Sequence, residues 1–193
     1  MRIGQVVCLS ACLFLMVFRV SDPVRADGFI NPFAGYHFGG DSACPTVFHC
    51  ESTKLGLGVS IGVLGSVVGF EEDFGYAKNF FGTEPLLNSS VVTLMSNLMI
   101  APKLGPVRPY VVGGFGLMRV TAATGLINVV VSDTNNLGYD LGGGLMIFFG
   151  SHVGLRGDVR GYRSLQDLKV FGIAVPGTRL RFGRAAGGLM LAF

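Results

Sequence analysis

From Lys54 to Leu64 the chain alternates without a break. Leu55, Leu57, Val59, Ile61 and Val63 lie on one face, and Gly56, Gly58, Ser60 and Gly62 lie on the other. Alternation with a period of two is the mark of a strand with one apolar face. The pattern returns over 137–149, where Leu137, Tyr139, Leu141, Leu145, Ile147 and Phe149 oppose Gly138, Asp140, Gly142, Gly144 and Met146. It returns again over 152–162, where Val153, Leu155 and Val159 oppose Arg156, Asp158, Arg160 and Tyr162. Past the first 26 residues no long apolar run and no helix-length periodicity competes with it.

Which face points inward decides the class. A soluble sandwich or lipocalin sends its charged face to water. Here the polar face is crowded with glycine, 30 of 193 residues, and only 14% of the chain is charged. Such a face makes a poor soluble exterior. Turned inward, it suits the lumen of a membrane barrel whose large apolar side chains meet lipid. The composition, 50% hydrophobic, excludes a disordered chain. A net charge of +3 gives no dense basic face for nucleic acid.

The N-terminus reads as an export signal. Arg2 is followed by the uncharged apolar run Val6–Phe18, and Val24-Arg25-Ala26 fits a cleavage site after Ala26. The run is shorter than the ~20 residues a membrane helix needs. Leu9-Ser10-Ala11-Cys12 has the form of a lipoprotein box, but the chain stays apolar through Phe18 where a tether would turn polar. The expected domains are therefore a signal peptide, 1–26, and one barrel domain, 27–193. Cys44 and Cys50 would be the cysteines of the mature chain. In an oxidising compartment a disulfide between them is favoured over metal binding with Asp41 and His49.

Residues 27–193 divide into eight units of about 21 residues. Strands are expected near 28–38, 53–64, 67–77, 91–101, 108–119, 136–149, 152–163 and 180–193. Short turns fall at Gly65-Ser66, Pro102–Pro106 and Gly150-Ser151; long connections fall at 39–52, 78–90, 120–135 and 164–179. The fold class is an all-β, transmembrane, antiparallel up-and-down barrel of about eight strands.

The last strand, Gly188-x-x-Leu191-x-Phe193, ends on an aromatic residue. Asn31-Pro32-Phe33-Ala34-Gly35-Tyr36, Phe74-Gly75-Tyr76, and Arg108-Pro109-Tyr110 followed by Gly113-Gly114-Phe115-Gly116 are glycine-aromatic segments in matching order. With these residues the chain resembles the small eight-stranded outer-membrane β-barrel family, of the OmpA-transmembrane-domain and OmpX type, over nearly all of 27–193. Ala186 stands where the family pattern prefers a polar residue. The resemblance implies a cell outer membrane location in a double-membraned bacterium, surrounding outer-membrane lipid, and an assembly signal at Gly188, Leu191 and Phe193 read by the outer-membrane assembly machinery.

With the lipid face fixed by the hydrophobic residues, Glu71, Asp73, Asp140, Asp158, Arg156, Arg160 and Arg184 point into the lumen. Their signs nearly balance, so a salt-bridged plug centred on Arg156, Asp158 and Arg160 is expected. Two readings stay open at two places. Glu72 either faces outward beside Phe70 and Phe74 or sits at a bulge, and over 108–119 Tyr110 and Val112 compete with Val111 and Phe115 for the lipid face.

The leading functional expectation is a structural or surface-interaction protein whose external loops meet a surface partner. The apolar residues of two loops, Phe80, Phe81, Leu86 and Leu87 and the run Leu126–Val131, either extend the hairpins as strands or pack on one another. A small porin-like channel through the charged lumen is the alternative, and a soluble periplasmic ligand-binding barrel is third. No enzyme, metal or cofactor is expected: His37, with Ser89 or Ser90, and Ser151 beside His152 make no recognisable triad.

Overall fold

The computed structural model describes residues 27–39, 55–78, 87–124, 129–170 and 173–193. The signal-peptide, lipoprotein-box and Cys44–Cys50 expectations lie outside these residues. Eight antiparallel strands close into one barrel in chain order. They are β1 (Asp27–Phe38), β2 (Leu55–Leu64), β3 (Val68–Lys78), β4 (Leu87–Ile100), β5 (Val107–Thr124), β6 (Val129–Phe148), β7 (Val153–Val170) and β8 (Ile173–Ala192). Closure comes from β1 pairing with β8, from Phe29↔Ala192 to Phe38↔Gly183. A closed ladder leaves no open edge within the barrel wall, which is what lets strands cross lipid.

Parity follows the alternation in the sequence. Leu57, Phe115 and Leu141 face outward and are 61%, 69% and 68% exposed, whereas Ser60, Asp140 and Arg160 are buried. The register is continuous through Glu72, with Ile61 on one side and Ser96 on the other, so no bulge occurs there. Glu72 faces outward and its carboxylate accepts hydrogen bonds from Ser96 Oγ at 2.8 and 2.9 Å. On β5, Tyr110 and Val112 turn inward, and Val111 and Phe115 take the outer face.

The connections at 65–67, 101–106 and 149–152 are short, and Asp27 at the start of β1 and Phe193 lie at the same end of the barrel as these turns. Gly105 and Gly150 adopt φ of 66° and 104°, a region open to glycine but strained for other residues.

The opposite end differs from expectation. Residues read as connections over 120–135 and 164–179 are largely strand: β5 runs to Thr124, β6 starts at Val129, β7 runs to Val170 and β8 starts at Ile173. β4 likewise begins at Leu87. Stretches such as Val129-Val130-Val131 are β-branched, and pairing across a hairpin continues where lipid-directed alternation has already faded. An extended strand of 20 residues, tilted by ~40°, rises roughly 50 Å, about twice the ~25 Å apolar band. The β4–β5–β6 and β7–β8 ribbons therefore stand well clear of the membrane.

Candidate functional site: the charged lumen

The lumen is layered. Toward the turn end, Phe29, Leu64, Met99, Ala101, Tyr110, Val112, Met146 and Met190 form one apolar cluster. Toward the ribbon end, Ala77, Val91, Met95, Met118, Val120, Tyr162, Leu180 and Phe182 form another. The charged side chains lie between the two.

Strand parity aims each of them inward. Glu71 and Asp73 project from β3, Asp140 from β6, Arg156, Asp158 and Arg160 from β7, and Arg184 from β8; all are buried. Glu71 binds two guanidiniums, Arg156 at 2.7 Å and Arg160 at 2.7 Å. The second terminal nitrogen of Arg160 donates to Asp158 Oδ2 at 2.9 Å. Arg184 forks onto both oxygens of Asp73 at 2.9 and 3.0 Å, the bidentate geometry that suits guanidinium best. Asp140 stands further off, 3.6 Å from Arg160. The seven residues read from the sequence thus meet in one network.

Neutral residues complete it, and several were not singled out by charge. Tyr110 donates its hydroxyl to Asp158 at 2.8 Å and accepts from Arg156 Nε at 2.7 Å. Ser60 donates to Asp73 at 2.9 Å and Asn97 to Glu71 at 3.2 Å. Arg184 lies over the ring of Phe33 at 4.3 Å, and Arg156 over that of Tyr110 at 4.7 Å. A signal that could have found Tyr110 is its parity with Gly114 and Gly116, because glycine crowds the inward face of the other strands.

Glycine makes the room. A Cβ on Gly142 would come within 2.7 Å of Arg160 Cγ, and one on Gly144 within 2.8 Å of the Tyr110 hydroxyl. An eight-stranded barrel is just wide enough to be filled by side chains, so its large interior groups need bare neighbours.

A second feature lies at the turn end. Arg108 is buried and donates to the carbonyl oxygens of Gly65 (2.6 Å), Ser66 (3.3 Å) and Ala101 (2.8 Å), tying two turns together. Beside it a recess of ≈ 440 Å³ is bounded by Asp27, Lys103, Arg108, His152 and Phe193, among others. Ser151 Oγ and His152 Nδ1 are 2.7 Å apart at this exposed rim. His37 is buried at the other end, its ring 5.6 Å from that of Phe182. Of the three residues expected to form an assembly signal, Gly188 faces inward, Leu191 faces outward, and the Phe193 backbone exchanges two hydrogen bonds of 2.9 Å with Gly28.

Comparison with known proteins places this architecture. Neisserial surface protein A superposes with a TM-score of 0.64 at 16% identity, covering 86% of this chain and 97% of its own. The N-terminal β-barrel domain of Pseudomonas aeruginosa OprF gives 0.53 at 16% identity, with 86% and 97% covered. Ail, the attachment invasion locus protein of Yersinia pestis, gives 0.52 at 11% identity, with 87% and 97% covered. No curated protein sequence matches the chain. The sequence model of the outer membrane protein beta-barrel domain matches residues 10–182. The apolar outer face, the closed ladder and this match exclude a soluble periplasmic barrel: the chain belongs to the outer membrane protein beta-barrel family and resides in the bacterial outer membrane.

Proposed function

We propose that this barrel is a surface-interaction protein whose lumen is closed and whose projecting ribbons carry the contacts. One observation carries the reading. Pairing between β6 and β7 stops at Gly138↔Ser164, while β6 continues back to Val129 with β5 as its partner. Among the described residues, 129–137 are therefore laddered on one side only. An open strand edge with free N–H and C=O groups is a template for an incoming extended segment. The fold likeness to a surface protein and to an attachment protein supports the reading.

The lumen supports the closed half of it. Two apolar layers flank a charged layer whose guanidiniums are engaged by carboxylates. A conducting path would have to break ion pairs that are expensive to strand in a dry interior. In the same reading the C-terminal strand, with Gly188, Leu191 and Phe193, serves as the handle for the outer-membrane assembly machinery.

The test compares cells carrying the wild-type barrel with cells carrying a version in which residues 121–132 are replaced by Asn-Gly. Both should give heat-modifiable barrels on gels, and only the wild type should promote adhesion to epithelial cells. Equal adhesion by the two would remove the β5–β6 edge from the function. Discrete conductance steps from the wild type in planar bilayers, altered in Arg156→Ala/Arg160→Ala, would favour the channel instead.

A further inference from the structure

Among the described residues the charges of the layer between the two apolar clusters do not balance. Among the described residues four carboxylates, Glu71, Asp73, Asp140 and Asp158, share the interior with Arg156, Arg160 and Arg184. Arg108 is turned to the carbonyls of the turns.

Each of the three guanidiniums lies nearer to another carboxylate than to Asp140, although Arg156 Nη2, Arg160 Nε and Nη1 and Arg184 Nε make no hydrogen bond among the described residues. Arg184 serves Asp73, Arg156 serves Glu71, and Arg160 is divided between Glu71 at 2.7 Å and Asp158 at 2.9 Å. Asp140 is left with a contact to Arg160 at 3.6 Å. It is 2% exposed, and neither of its oxygens has a hydrogen-bond donor among the described residues. Its neighbours in register are Gly114 on β5, which has no side chain, and Tyr162 on β7. Among the described residues the buried Tyr162 hydroxyl likewise has no hydrogen-bond partner, and neither has Asn136 Nδ2 four residues back along β6. The other charged groups that act on Asp140 are Glu71, Asp73 and Arg184, two of them acids. Among the described residues Tyr110 and His37 are further titratable groups of the lumen: the Tyr110 hydroxyl is held between Asp158 and Arg156, and His37 pairs in register with Arg184, so a proton there would add a cation beside a cation.

We propose that Asp140 is a binding site for one unit of positive charge inside the lumen, supplied as a proton or as an alkali cation. A proton on the carboxyl turns one unsatisfied acceptor into a donor. An alkali cation would use the carboxylate and phenol oxygens together. Either cancels the surplus charge in a place where a bare carboxylate is costly.

Infrared spectra of barrel labelled with carbon-13 aspartate, purified from the membrane at neutral pH, test this in sodium and in choline buffer. A protonated-carboxyl band present in both buffers and lost in Asp140→Asn supports the site with a proton. A band in choline alone, with sodium raising the unfolding temperature of the wild type and not of Asp140→Asn, supports it with a cation. Ionised aspartates in both buffers with no sodium effect overturn the proposal. The variants add a test of sign: Asp140→Asn should unfold at the wild-type temperature or above, and Asp73→Asn below it. An Asp140→Asn chain that fails to form a heat-modifiable barrel also overturns the proposal, because a neutral isostere should fit a neutralised site.

Discussion

Glu71 holds two guanidiniums at once, at 2.7 Å each, with no exposure to water. Glu71→Gln leaves both arginines short of a counter-charge in a dry interior. The expected loss is about 3–5 kcal/mol, read as a lower urea midpoint for unfolding from detergent. Tyr110→Phe is a milder test of the same network. It removes one donor and one acceptor and should cost about 1–3 kcal/mol while the barrel still forms. Whereas Glu71 and Asp73 flank Glu72, where the register stayed open, Asp140, Arg156, Asp158 and Arg160 were legible in the sequence because they lie opposite an apolar face whose sense is clear. Tyr110 was not, because over 110–115 both faces offer large apolar groups and one strand alone does not say which meets lipid. The partners were not legible either. Which arginine reaches which acid depends on the stagger between β3, β7 and β8, and stagger is a property of closure.

At the scale of elements, the turn end was read closely and the ribbon end was not. Turns at one end are marked by Gly105, Gly150 and Pro106, which impose local geometry. The ribbons end where hairpin pairing ends, and nothing in the alternation records that point. Arg108 shows how a single side chain can serve an element. Arg108→Met should free the turns at 65–67 and 101–106, seen as faster amide exchange there, with a loss of about 1.5–3 kcal/mol from its charged hydrogen bonds. Exchange along β6 should itself be uneven. Amides of 138–148 are laddered into the barrel on both sides, whereas those of 129–137 belong to a ribbon and should exchange sooner, a difference that mass spectrometry of backbone deuteration resolves.

At the scale of the whole molecule, the lumen is a stack in which apolar and charged layers alternate along the barrel axis. Single-channel recording of the folded wild type should therefore stay silent. Breaking the charged layer alone should leave two apolar barriers in place, so Asp158→Ala is expected to destabilise the barrel before it conducts.

The stack has a chemical consequence too. The chain has seven methionines, and the five beyond residue 26, Met95, Met99, Met118, Met146 and Met190, all sit within the lumen at 0% exposure. Thioethers oxidise to sulfoxides when a reagent can reach them, and the polar product cannot be repacked in an apolar layer. Hypochlorite added to intact cells should thus leave these sulfur atoms unmodified for as long as the wall stays closed. Each sulfoxide that accumulates marks a molecule that has opened, so slow oxidation becomes a clock for breathing of the barrel.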